Sequence, residues 1–238
     1  MLTTTALGLS LPYPTFHPSI NTLDIFMYIP PHFQEQREEV LLGLIAKNPL
    51  SAIVWQSPDG TVADHIPLSF KKSELGNGYL IGHVARNNPL WQHAANQEVL
   101  VIFQGANAYI SPNWYATKQE TGKVVPTWNY VAVHVYGKIR AIEDANWIFQ
   151  QISTLTSLHE QSQTKPWKVT DAPSDYIDRM ISAIVGIEIE ITNIIGKSKM
   201  SQNQVTHNQQ SVGTALNNLG SEMAKSVADL VLGKSEHI

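Results

Sequence analysis

The residues best equipped for chemistry lie between 109 and 130. They read Tyr-Ile-Ser-Pro-Asn-Trp-Tyr at 109–115 and Val-Pro-Thr-Trp-Asn-Tyr at 125–130, with a short polar loop between. Five of the chain's 6 Trp and 8 Tyr residues fall there, interleaved with Ser, Thr and Asn and stiffened by Pro112 and Pro126. Flat apolar faces beside fixed polar donors suit the edge of a large planar ligand. A plain core would use Val, Ile and Leu without setting Asn and Thr against each aromatic. The alternative reading is that Trp114 and Trp128 cap the ends of a sheet, since buried aromatics with a polar handle are common.

Three further segments put polar or cationic groups at strand ends: Ala63-Asp64-His65-Ile66-Pro67, Gly82 through Pro89, and Gly196 through Asn203. In the second, Gly82 allows close backbone approach, and Arg86 leaves a strand beside the helix that begins near Pro89. An Arg next to free backbone N–H groups is a fair phosphate site. Lys199, with Ser201 and Gln202, offers a second cation and more donors, so the pair would match a phosphate dianion. Either cation could instead be a surface charge at a solvated turn. His65, His83 and His134 all fall on expected strands. No His-x-His or Glu-x-x-His spacing unites them, so satisfied strand histidines are the plainer reading.

Composition narrows the class. At 238 residues the chain can bury a real core. Its formal charge of -4 gives no general reason to bind nucleic acid or anionic membrane. With Cys 0, disulfides, thiolate nucleophiles and cysteine metal sites are excluded. No apolar run reaches the roughly 18 residues of a membrane span, and residues 2–11 lack the basic flank of a signal peptide. A cytoplasmic location is expected. Gly-x-Gly-x-x-Gly, Walker and Gly-x-Ser-x-Gly patterns are absent from the sequence.

The elements that must position these residues follow from periodicity. Residues 1–26, Thr-rich with Pro12, Pro14 and Pro18, read as a flexible extension. Val40, Leu41, Leu44 and Ile45 predict a helix after the charged run at 35–39, ended by Asn48-Pro49. Pro58-Asp59-Gly60 predicts a hairpin between strands 50–56 and 61–70. Gly76-Asn77-Gly78 turns into a strand over 79–85, and Asn88-Pro89 opens a short helix to about residue 95. Residues 99–103 and 108–111 read as a hairpin across Gly105, followed by a long strand over 128–142. Asp144 caps a helix over 145–160, Ser174 caps a shorter one, and 185–195 returns as a strand. Residues 206–238 form a weakly amphipathic helical tail. Consecutive hairpins argue a mainly β, α+β fold: an antiparallel barrel with helices outside it.

Taken together the segments resemble the PaiB family of FMN-binding negative transcriptional regulators. The matching stretches are 27–30, 63–67, 82–91, 109–115, 125–130 and 199–203, in that order, so the resemblance covers about residues 27–205. It implies a split β-barrel of the flavin-reductase and pyridoxamine-phosphate-oxidase type, a homodimer with FMN at the subunit interface. Carried over by motif, Arg86 and Lys199 become phosphate ligands, with Ser201 and Gln202 beside them and His83 and Ala85 in the same candidate set. Asp64, His65, Ile66, Pro67 and Leu68 would face the isoalloxazine edge, and Trp114, Tyr115, Trp128 and Asn129 would wall the site. The regulatory role implied by the family sits poorly with an acidic chain lacking a recognition helix, so direct DNA binding is doubtful. A flavin-dependent or sensor-type role is expected instead. The alternative is a flavin oxidoreductase, or a haem-handling enzyme with His65, His83 or His134 as axial ligand.

Overall fold

The structure is a computed structural model that describes residues 27–74 and 76–234. The expected extension over 1–26 lies outside the described residues. In chain order the elements are β1 (Gln34–Glu35), α1 (Glu38–Lys47), β2 (Leu50–Ser57), β3 (Gly60–Pro67), β4 (Ser69–Lys71), β5 (Tyr79–Ala85) and α2 (Leu90–His93). There follow β6 (Glu98–Ile110), α3 (Lys118–Thr121), β7 (Thr127–Ile142), α4 (Ala145–Glu160), α5 (Ser174–Ser182), β8 (Ile184–Lys199), α6 (Thr206–Asn217) and α7 (Glu222–Val231).

All strand pairs are antiparallel, in the order β3-β2-β6-β7-β8-β5-β4, with β1 beside β8. The two edge strands, β3 and β4, are consecutive in sequence and joined through Leu68. The sheet therefore curls until its edges meet in one chain, without a ladder to close it. This is a split barrel, as expected. Gly82 makes the seam possible: a Cβ there would lie 2.6 Å from a Leu68 methyl and 2.8 Å from the Pro67 carbonyl oxygen.

Alternation decides which side chains fill the barrel. Val99, Val101 and Phe103 of β6 meet Val131, Val133 and Val135 of β7 and Ile187 and Ile189 of β8, all within 2 % of full burial. The helix predicted after the charged run at 35–39 forms as α1, which takes in Glu38 and Glu39, and Asp144 caps α4 by accepting the Trp147 N–H at 2.7 Å. Helix α5 begins one residue earlier than expected: Ser174, the predicted cap, is its first helical residue, and Pro173 holds the cap position. Helices α6 and α7 place Val212, Leu216, Val227 and Ala228 in the same buried cluster as the strands.

The expected hairpin across Gly105 is not present. Residues 98–110 form one strand, with an irregular register between Gln104 and Asn107. A Cβ at Gly105 would stand 2.6 Å from a Val131 methyl. The glycine serves close packing against the neighbouring strand at a bulge rather than a reversal of the chain.

Candidate functional site

The site is best built at the end of the barrel where β7 begins and β8 stops. Thr127 is the first residue of β7 and Lys199 the last of β8, with Tyr130 paired opposite Lys199. A cavity of about 280 Å³ opens here, lined by Phe33, Tyr115, Thr117, Lys123, Val124, Val125, Thr127, Asn129, Lys199, Ser201, Asn203 and Gln204. Two lysines and no carboxylate line it, so its field favours an anion.

Several polar wall residues are tethered. Lys199 Nζ donates to Thr127 Oγ1 at 2.6 Å and stands 6.0 Å from the centre of the Phe33 ring. Asn129 is 1 % exposed. Its Nδ2 donates to Ser201 Oγ at 2.9 Å, while its Oδ1 is buried and has no partner among the described residues. Ser201 holds a positive φ of 62°, which costs a non-glycine residue energy and persists only where its surroundings enforce it. Gln209 Nε2 supplies part of that support by donating to the Ser201 carbonyl at 3.0 Å. Asn208 accepts the Thr117 N–H at 3.1 Å and donates to Thr117 Oγ1 at 3.0 Å, fastening α6 to the cavity loop. Burial pushes the Tyr115 phenol above its ordinary range, so its hydroxyl stays a neutral donor.

Such a wall can hold a phosphate monoester between ammonium groups and hydroxyls, with an unpaired amide oxygen waiting for a donor beside it.

The structure brings Tyr115, Asn129, Lys199 and Ser201 of the expected set into one cavity. Gln202 turns back on its own loop, accepting the Met200 N–H at 2.6 Å and donating to the Ser198 carbonyl at 2.5 Å. Trp128 points to the other face of the sheet from Asn129, as adjacent strand residues must. It is 52 % exposed and meets Tyr109 edge-on with ring centres 6.1 Å apart. Trp114 lies against α6 in a separate shallow depression with His207 and Ala215.

Arg86 stands at the opposite end of β8. Its Nε donates to the Ser182 carbonyl at 2.8 Å, its Nη2 to the Ile184 carbonyl at 3.1 Å, and its Nη1 to Glu143 at 2.7 Å. Between Ile184 and Lys199 the strand contour is roughly 50 Å at about 3.3 Å per residue. Within one chain the length of β8 thus lies between Arg86 and Lys199. His83, beside it, shares a 2.8 Å hydrogen bond between Nδ1 and Gln151 Oε1 under α4, and Ala85 is exposed at the strand end. Asp64 accepts from Trp55 Nε1 and Asn88 Nδ2, both at 2.8 Å, tying β3 to the start of α2. Ile66 and Leu68 are core residues, while His65 and Pro67 look outward from the edge strand.

That outward face is a second component. His65, Ala52, Ile102, His134 and Ile195 lie directly opposite one another across β3, β2, β6, β7 and β8. The next row, Ala63, Val54, Leu100, Tyr136 and Asn193, runs parallel to it. Apart from the exposed Ala63 and His65 at the edge, these residues are half-buried, so the face is broad and largely apolar.

The cavity residues that motif reading missed are Phe33, Thr117, Lys123, Val124 and Gln204, with Val125, Thr127 and Asn203 noted only as parts of motifs. The one signal for Lys123 was its place directly before Val-Val-Pro-Thr-Trp.

The split barrel agrees with what known proteins show. The family described as "Putative FMN-binding domain" matches residues 27–193. The chain belongs to this family. A Bacillus subtilis relative named protease synthase and sporulation protein PAI 2 is 32% identical, over 87% of this chain and 98% of its own length. An uncharacterized protein of Emericella nidulans is 35% identical, over 88% of this chain and 98% of its own. The resemblance to the PaiB family is thereby borne out. Among solved structures, the FAD and haem binding protein of Mycobacterium smegmatis superposes with a TM-score of 0.52 at 15% identity, covering 70% of this chain and 73% of that one. That likeness concerns the fold alone. Lys199 and Ser201 lie beyond the family match, on the strand end that leads into α6.

Proposed function

We propose that the chain binds FMN as a homodimer, with the phosphate in the Lys199 cavity and the ring on the outer sheet face, and that it regulates through the flavin rather than by reading DNA. The observation that carries this reading is the cavity itself: Lys199 and Lys123 without a carboxylate, beside a buried, unpartnered Asn129 oxygen. An oxygen with that need suits a hydroxyl next to the phosphate, as a ribityl chain provides. At about 280 Å³ the cavity is near the lower limit of ligand pockets, so it takes the phosphate end and leaves the ring outside. The barrel interior is filled by side chains, and the outer face supplies the flat apolar surface that a ring and a second copy would share. When bound, FMN supplies electron transfer; the protein's share is binding, orientation and charge.

The family match and the Bacillus relative support a flavin ligand, while a net charge of -4 supports an indirect regulatory route. The enzyme alternative draws on one specific feature. His134 Nδ1 is buried without a partner on the outer face, and could hold a substrate of a flavin oxidoreductase. Reduction of bound FMN by a nicotinamide nucleotide would select that reading.

The deciding experiment is FMN titration by fluorescence quenching on the wild type and Lys199→Ala, with sedimentation of both. Loss of one charge-assisted phosphate contact is expected to cost about 1.5–3 kcal/mol, roughly ten- to a hundredfold in affinity. A wild type that takes up no FMN sinks the proposal, and a monomer at assay concentration removes its dimeric part.

A further inference from the structure

Among the described residues, Lys197 is a cation without a counter-charge. It is 9 % exposed, on the outer face of β8, opposite Ala132. Its Nζ donates to the Tyr28 carbonyl at 2.9 Å and stands 5.8 Å from the Tyr28 ring centre and 5.1 Å from that of Tyr130. Among the described residues no carboxylate pairs with it. Glu35, on the neighbouring β1, is engaged by Arg37 through both carboxylate oxygens. Buried charges are ordinarily paired, so a lone one with aromatic flanks is an invitation to an electron-rich partner.

His134 lies diagonal to it. Ala132 and His134 share one face of β7, paired with Lys197 and Ile195 of β8. His134 Nδ1 is buried and unpartnered. Burial and the Lys197 charge hold the imidazole below its ordinary pKa. At neutral pH it is therefore an uncharged hydrogen-bonding group. Around the two lie Ala132, Ile102 and Ile195, so a cation and an imidazole are set in an apolar floor. Lys199 precedes them on the same face: Tyr130 faces Lys199, then Ala132 faces Lys197, at about 6.6 Å per step along the strand. A phosphate held at the Lys199 cavity would thus be followed by a flat floor with a positive charge at its side.

We propose that Lys197, with His134 as its hydrogen-bonding neighbour, contacts the polar edge of the flavin ring and sets the preference of the site for the reduced, anionic ring over the oxidised one. The inference rests on the FMN reading above. Two electrons from a reductant and one proton from solvent leave the ring with one additional negative charge. The Lys197 ammonium, having no carboxylate to satisfy, offsets that charge in a partly water-excluded place.

The test is the midpoint potential of bound FMN, titrated with dithionite against a reference dye, in the wild type, Lys197→Met and Lys197→Arg. The Met side chain keeps the aliphatic stem and removes the charge. It is expected to lower the potential by about 30 mV, a tenfold loss of preference for the reduced form in a two-electron couple. Affinity for oxidised FMN should fall by less than that factor, and Lys197→Arg should restore the wild-type value. The wild type itself should hold FMN at a potential above that of free FMN, a measurement that needs no variant to fold. Bound FMN with an unmoved potential in Lys197→Met, or a wild-type potential at or below the free value, overturns this inference and leaves the FMN reading standing. No uptake of FMN by the wild type overturns both.

Discussion

The two ends of β8 each present a cation, and the cations could hardly be more different in situation. At the Ile184 end, Arg86 spends its donors on the carbonyl that ends α5, the carbonyl that begins β8 and Glu143, and its guanidinium carbon lies 6.0 Å from the Trp91 ring centre. At the other end, Lys199 has one hydroxyl partner and Lys197 one carbonyl. A planar guanidinium with five donors suits the stitching together of three segments; a compact ammonium left short of acceptors suits a ligand. What separates a structural cation from a binding one is therefore its unspent donor capacity, which the residue type alone does not report.

The comparison breaks most visibly at Arg86. Arg86→Ala should leave the Ser182 and Ile184 carbonyls without their donor and Glu143 without its partner, at a cost of about 3 kcal/mol. For a chain of this size that lowers Tm by roughly 6–12 °C. FMN affinity of the folded fraction should stay at the wild-type level. An affinity loss with unchanged Tm would mean that Arg86 reaches a phosphate after all, from a second protomer.

Lys199→Ala is the mirror case. It should weaken FMN binding roughly ten- to a hundredfold and shift Tm little, since only the Thr127 hydrogen bond and the Phe33 ring contact are lost within the protein. Combined with Arg86→Ala, the two effects should add, one in stability and one in binding, because the sites share no partner. Strong coupling in the double variant would erase the distinction between the two ends.

Much of the frame was legible before any coordinates. The helix over 38–47, the turn at Pro58-Asp59-Gly60 and the Asp144 cap each depend on neighbours within a few residues, and each formed. Gly105 was misread because its reason lies on another strand: the Val131 methyl that a Cβ would strike is invisible to local pattern. The motifs at 82–91 and 199–203 were correctly noticed, yet motif order carries no distance, and β8 holds them apart. Trp128 and Asn129 are adjacent in one motif but face opposite sides of a strand, and of the two Asn129 lines the cavity. Lys123 came into view only once the loop before β7 was folded onto the β8 end.

Lys123 sharpens the Lys199 end at lower amplitude. It lines the same cavity but is exposed, so its attraction for an anion is screened. Lys123→Ala should weaken FMN binding by under tenfold at low salt, and the deficit should shrink as salt rises, whereas that of Lys199→Ala should persist. Equal salt dependence of the two variants would show that Lys199 is no better shielded than its neighbour.

The smallest effect belongs to His134, whose position beside Lys197 distinguishes this end of the sheet electrostatically. Burial, and then the Lys197 charge, disfavour the imidazolium, so the folded-state pKa lies below the ordinary 6.5. Above about pH 6.5 the residue is neutral folded or unfolded and contributes nothing to the pH dependence. As pH falls below that point the unfolded chain takes up a proton that the folded chain refuses, and stability declines until the folded-state pKa is passed. His134→Gln should flatten the stability curve between about pH 6.5 and 5, measured by urea unfolding, without moving its value at pH 8 by the same amount. Glu35, held below its ordinary range by Arg37, adds its own loss only in the more acid region. Lys197→Met should flatten part of the same slope by removing the second cause. Arg86→Ala should lower the whole curve and keep its shape, because Arg86 lies at the far end of the strand from the group that titrates.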